Sequence, residues 1–188
     1  MLLWHPCAWR YDGAMGEGTV SKKRLRLKTA TCQFPVCESI SENAKHISRY
    51  IVGASKASAD VVHFPEYALS GYPGVDYPLT EPVDWALLRD KTNDICEIAR
   101  QCRIWVVLGT IQRGKGRSKP TNTTAVISPT GEAVGHYHKS MLYAHEHDTF
   151  RAGSELLHID IKGWRCGFLI CYDSCFPDLY QELSLIHI

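Results

Sequence analysis

What this 188-residue chain lacks narrows its role before any motif is read. No stretch approaches the ~18 consecutive apolar residues that cross a bilayer as a helix, so no membrane contact is expected. With 21 Lys and Arg against 20 Asp and Glu, the formal charge is +1, too weak a field to steer the chain toward nucleic acid or an anionic membrane. Met1 to Arg10 has neither the basic start nor the apolar core of a secretory signal. The eight cysteines contain no CxxC pair. Their closest spacings, Cys32/Cys37, Cys96/Cys102, Cys166/Cys171 and Cys171/Cys175, match no zinc site. Without an export signal they suggest reduced thiols in the cytoplasm rather than a disulfide framework. No Walker spacing follows the basic, glycine-containing loop Gly114 to Pro120, so a nucleotide-type phosphate cradle is not expected. Repeats and low-complexity segments are missing as well. The remaining composition, 45% hydrophobic and 22% charged, is that of a globular chain long enough for one sizeable core.

Residues 1–24 read as a leader without periodicity and are expected to be poorly ordered. Lys22, Lys23, Arg24, Arg26 and Lys28 at its end form a solvated charge run. From Leu25 to Cys32 apolar and polar residues alternate, which predicts a strand. Ser39 and Glu42 form a capping box ahead of Ala44, Ile47, Ile51 and Ala54, one face of a helix. Asp60 to Phe64 is a short β-branched strand, followed by a loop dense in turn formers through Pro78. Trp85, Leu88, Thr92, Ile95, Ala99 and Cys102 recur at three and four, predicting a second helix, and Ile104 to Ile111 a further strand. Thr123 to Ile127 and Ala133 to His138 make a hairpin around Pro129-Thr130-Gly131. A loop from Lys139 to Gly153 leads to strands near Leu156 to Ile161 and Trp164 to Ile170, and Pro177 can open a helix. The alternation implies an α/β architecture.

Three polar residues stand at the carboxyl ends of predicted strands. Glu66 follows VVHFP, Lys139 follows VGHYH, and Cys171 follows GFLI where a buried strand gives way to a turn. Such positions converge on one crevice in an α/β sheet. Cysteine hydrolysis needs a nucleophile, a proton shuttle and a positive group for the developing oxyanion, and cysteine, glutamate and lysine fit those jobs. Each has a plainer reading taken singly. A free cysteine is among the most buried residue types, a glutamate after proline is a turn residue, and a lysine ending a hairpin is solvated.

The stretches FPEYALSGYP (64–73), GHYHKSMLY (135–143) and GFLICYDSCFPDLYQEL (167–183) resemble the carbon–nitrogen hydrolase family, or nitrilase superfamily. That family has a Glu–Lys–Cys triad in this chain order, and residues 25–183 would form its domain. The resemblance implies a four-layer α-β-β-α sandwich, no metal or organic cofactor, a small-molecule amide substrate and homo-oligomers. By the match, Glu66 is the general base, Lys139 the oxyanion and positioning residue, Cys171 the nucleophile, and the Tyr172 backbone N–H the second oxyanion donor. Glu146 matches the second glutamate that many members place beside the lysine. Tyr172-Asp173 after the cysteine resembles the amidase and carbamoylase branches, whereas nitrilases carry Trp-Glu. Asp178, where glutamate is usual, and Met141, where histidine is common, are departures outside the triad.

The implied reaction is hydrolysis of an amide or N-carbamoyl bond through a cysteine thioester. The alternatives are a nitrilase or N-acyltransferase using the same triad, or an inactive, truncated or scaffold-like relative. His136, His138, His145, His147 and His158 lie near Glu146 and Asp148, but no spacing there completes a familiar zinc site. The family's domain continues beyond the nucleophile motif, so the chain reads as its N-terminal part. The final LSLIHI (183–188) is what a transposon-type sequencing adaptor encodes in frame, and residues 184–188 are expected to be a non-native tail. The 188-residue chain is therefore expected to be aggregation-prone and inactive.

Overall fold

The computed structural model describes residues 2–4, 26–79 and 82–184. The rest of the predicted leader, the basic cluster at 22–24, the strand start at Leu25 and the expected tail from residue 185 lie outside the described residues. Among the described residues eight strands form two sheets: β1 (Leu2–Trp4), β2 (Thr29–Thr31), β3 (Val61–His63), β4 (Trp105–Gln112), β5 (Thr121–Ile127), β6 (Ala133–His138), β7 (His158–Ile161) and β8 (Trp164–Gly167). Four helices accompany them: α1 (Ile40–Lys56), α2 (Trp85–Cys102), α3 (Glu146–Thr149) and α4 (Pro177–Ser184). The larger sheet has the order β2-β3-β4-β5-β6, parallel through β4 and antiparallel beyond it. The smaller is antiparallel, β1-β8-β7, so Leu2–Trp4 of the predicted leader is a paired strand.

Period-two alternation sends the two faces of the large sheet into different cores. Val62, Val106, Leu108, Ala125 and Ile127 pack with Ala44, Ile47 and Ile51 of α1 and Leu88, Ile95 and Ala99 of α2. Their neighbours Val61, Val107 and Val126 pack instead with Ile161, Cys166, Phe168 and Ile170 of the small-sheet region. Helices thus cover one face and the second sheet shares a core with the other, a mixed α/β fold. Both long helices carry a side-chain N-cap. Ser39 Oγ accepts from Glu42 N at 3.3 Å, and Asp84 from Leu87 N at 2.9 Å. The Glu42 carboxylate is turned to Lys45 at 2.6 Å, where the sequence pattern had it reaching back to the cap.

The strand boundaries differ from the sequence expectation in two informative places. β5 begins at Thr121, two residues early, because Thr121 and Asn122 pair with Gln112 and Ile111. β8 stops at Gly167, which pairs with His158, the first residue of β7. Phe168 and Ile170 then run on as buried but unpaired chain. The loop predicted from Lys139 to Gly153 contains the single turn α3, too short to leave a periodic signal. No helix among the described residues is long and apolar enough to cross a membrane.

Gly109 in β4 lies directly beneath the turn that carries Glu66. A Cβ there would sit 2.0 Å from Pro65 O and 2.9 Å from Glu66 Cα. Gly109→Ala is therefore expected to cost at least about 1–3 kcal/mol in urea denaturation, because backbone and no flexible side chain must move. Wild-type stability for this variant would show that the turn is not clamped.

Candidate active site

The turn after β3 is held from three sides. Phe64 N donates to Val107 O at 2.9 Å, Leu69 N to Gly109 O at 3.1 Å, and Asn43 Nδ2 of α1 to Leu69 O at 3.3 Å. Within it Tyr67 takes a left-handed backbone, φ 57°, and is almost fully buried. The preceding Glu66 is thereby aimed at Lys139, the residue just after β6. Lys139 is itself fixed by its main chain: its N donates to Asn122 O at 2.9 Å and its O accepts from Gly153 N at 2.8 Å.

The Lys139 side chain is only 2% exposed. Its Nζ lies 2.8 Å from Glu66 Oε1 and 2.8 Å from Glu146 Oε2. Glu146, the first residue of α3, is fully enclosed. Its Oε2 also accepts from Tyr143 N at 2.7 Å, and its Oε1 from Tyr67 OH at 2.7 Å and Asn122 Nδ2 at 3.3 Å. Asn122 Nδ2 donates to Glu66 Oε1 as well, at 2.6 Å. One amide thus ties both carboxylates together, leaving Asn122 Oδ1 buried without a hydrogen-bond partner.

Cys171 opens a 3-10 turn, Cys171–Cys175, with a left-handed backbone, φ 45°. Asp173, fully buried, fixes this turn. Its Oδ2 accepts from Ile170 N at 2.9 Å and Tyr137 OH at 2.8 Å, and its Oδ1 from Met141 N at 2.7 Å. Tyr137 and Met141 flank Lys139 by two residues on each side, so Asp173 registers the cysteine against the lysine. Tyr172 follows the cysteine, its ring edge-on to Tyr143 at 5.2 Å and Phe176 at 5.1 Å.

Burial opposes the Lys139 charge, but the hydrogen bonds to Glu146 and Glu66 outweigh it and raise its pKa. Burial likewise pushes Glu146 upward, and its bonds from Lys139, Tyr143 N and Tyr67 more than reverse this, holding it below the usual carboxylate range. Cys171 is exposed as a residue, yet its thiol is shielded enough for desolvation to raise its pKa. The Glu66 charge and a hydrogen bond to that carboxylate add to the rise, and Lys139 partly offsets it. These effects together favour the neutral thiol at Cys171. Tyr72 stacks on Tyr67 at 4.3 Å, and burial followed by the nearby carboxylates pushes its hydroxyl up to about 12.

Of the five residues singled out from sequence, Glu66, Lys139 and Glu146 are directly bonded. Cys171 lies within the field of all three, and Tyr172 adjoins it. The histidines are dispersed: His138 Nδ1 meets the Thr121 and Thr123 hydroxyls at 3.1 and 3.0 Å, His145 Nε2 meets Tyr72 OH at 2.8 Å, and His158 Nε2 meets Leu183 O at 2.9 Å. Among the described residues no three His, Cys, Asp or Glu side chains form a metal-binding group. Sequence reasoning missed Asn122, Tyr67 and Asp173. No local signal marked the first, which lies just before the strand start expected at Thr123.

The profile of the Carbon-nitrogen hydrolase family matches residues 28–187. A hydrolase of Mycobacterium tuberculosis is 32% identical over 166 residues, covering 84% of this chain and 57% of its own length. The omega-amidase of Bos taurus is 30% identical over 165 residues, covering 82% of this chain and 58% of its own. The chain thus spans a little over half the length of these relatives. Among solved structures, a variant of the amidase from Nesterenkonia sp. AN1 superposes with a TM-score of 0.74 at 22% identity, over 82% of this chain and 59% of its own. It shows covalent addition of the acetamide moiety of fluoroacetamide at the active site cysteine of that amidase.

Two outcomes test these electrostatics. Glu146 has a depressed pKa, so its stabilisation is complete above the unfolded value near 4.5 and is lost as pH falls through the folded value. Glu146→Gln is expected to cost about 3 kcal/mol at pH 7 and to flatten the acid limb of stability against pH, measured by urea denaturation. The raised Cys171 thiol predicts that alkylation by iodoacetamide, followed by mass spectrometry, keeps accelerating through pH 9. A plateau near neutrality would show a resting thiolate instead.

Proposed function

The chain belongs to the carbon–nitrogen hydrolase family, and from that premise we propose that it hydrolyses a non-peptide amide or N-carbamoyl bond through a thioester on Cys171. The observation that carries this reading is the single buried ammonium of Lys139 held between Glu66 and Glu146 beside a neutral thiol. Glu66 takes the thiol proton as the sulfur attacks the carbonyl carbon. The resulting oxyanion is held by the Lys139 ammonium and the Tyr172 N–H. Collapse of the tetrahedral adduct breaks the C–N bond, and protonated Glu66 delivers its proton to the departing ammonia or amine. Water then attacks the thioester, giving its proton to Glu66. The acid leaves, and the thiol recovers its proton. Glu146 takes no proton in this cycle; it holds the ammonium in place.

A carboxylate base suits a thiol whose resting pKa is raised, since no thiolate waits in the free site. The Tyr172-Asp173 pair after the nucleophile supports amide over nitrile as substrate. A reducing, cytoplasmic setting is proposed from the cysteine spacings alone. A homo-oligomer is proposed from family resemblance alone.

In the complete protein, Cys171→Ala, Glu66→Gln and Lys139→Ala are each expected to lower ammonia release from small aliphatic amides by about 10³-fold or more. Mass spectrometry of Glu66→Gln with substrate reads the acyl adduct directly, at Cys171. Near-normal turnover in any of the three variants removes that residue from the mechanism.

A further inference from the structure

Two cavities outside the candidate active site meet at Gln112 and Arg113, where β4 ends. The first, about 330 Å³, lies between α2 and the sheet, with Trp85, Leu88, Ile111 and Ala125 as apolar walls. Thr110 lines it too, 6% exposed, and its buried hydroxyl has no hydrogen-bond partner. A hydroxyl left so is costly unless something else approaches it. The second cavity, about 530 Å³, is lined by Arg113, Lys115, Arg151 and His138 with Ser118 and Thr121. Thr121, Thr123 and Ala125 share one face of β5, so both cavities open along the same side of the sheet. Asn122, which serves the candidate active site, alternates with them and points to the other side.

The basic end is a built feature. The loop after Arg113 folds so tightly that a Cβ on Gly114 would lie 2.2 Å from Ser118 O, and Ser118 N donates to Lys115 O at 3.0 Å. It is stitched to the Arg151 segment by Arg151 N donating to Pro120 O at 2.9 Å and by Lys119 Nζ donating to His147 O at 2.9 Å. The opposing charge is Glu155, which acts on His138. Two guanidinium groups and an ammonium among the lining exceed what a monoanion requires, and a guanidinium fork suits the oxygens of a phosphoryl group. An apolar slot with a few convergent polar groups is the usual form of a small-molecule site.

We propose that this groove is a second ligand site that takes a small amphipathic phosphate monoester, its apolar body between Trp85 and Ala125 and its head among Arg113, Lys115 and Arg151. Isothermal titration calorimetry of the chain with phenyl phosphate, inorganic phosphate and benzoate tests this. Phenyl phosphate is expected to bind about tenfold or more tightly than either fragment, and to keep its affinity after Cys171 is alkylated. The double variant Arg113→Ala/Arg151→Ala, checked for an unchanged circular dichroism spectrum, is expected to lose about tenfold or more of that affinity. Equal affinity for inorganic phosphate would overturn the apolar half of the proposal, and equal affinity for benzoate the phosphate assignment. Unchanged binding by the double variant, or loss of binding on Cys171 alkylation, would overturn the site itself.

Discussion

Everything around the candidate site depends on one buried ammonium. Lys139 is withdrawn from water, and a stranded charge there would cost several kcal/mol. Two carboxylates at 2.8 Å remove that cost, and a third group, the Asn122 amide, bridges the two carboxylates. The consequence is mechanical as well as electrostatic. Glu66 comes from the turn after β3, Lys139 from the end of β6 and Glu146 from α3, so the charge cluster joins segments far apart in sequence. Burial first, and the charge of Glu66 second, raise the pKa of the adjacent Cys171 thiol. The same cluster therefore shapes the site and, through Glu66, acts on the thiol beside it.

A second centre, Asp173, does for the nucleophile what the carboxylates do for the lysine. Its two oxygens collect two main-chain N–H groups and one hydroxyl from separate segments. Ile170 lies just before the cysteine, while Tyr137 and Met141 bracket the lysine. A buried carboxylate with three donors tolerates little displacement, because each lost donor leaves charge uncompensated. Nucleophile and ammonium are thus registered by a residue that has no part in the chemistry proposed for either.

How far the sequence revealed this can be seen residue by residue. Glu66, Lys139 and Cys171 could be singled out because each follows a predicted strand, and Glu146 because it sits in a matching motif. The helices were legible from their three-four periodicity, and Ser39 from capping chemistry, whereas the Asp84 cap was seen only in the structure. Asn122 was not, and for the same reason that β5 was predicted to start late: an asparagine after Pro120-Thr121 has the character of a loop. Its strand pairing comes from Ile111 across the sheet, a tertiary contact that local preference does not contain. Asp173 was noted only as part of the Tyr172-Asp173 pair, because its partners at Tyr137 and Met141 lie 36 and 32 residues away. The end of β8 at Gly167 was hidden because an apolar run predicts burial equally well with or without a ladder partner.

The left-handed backbone at Cys171 separates two demands that usually coincide. Only glycine adopts that conformation without strain, so any side chain at this position works against the fold. Mutation toward glycine here would relieve the backbone while erasing the sulfur. A lineage drifting under pressure for robustness alone would move toward that substitution; a cysteine kept there in a descendant would mark selection on its chemistry. Position 171 is in this sense a recorder, whose identity in any descendant of this chain reports whether its reactivity is still in use.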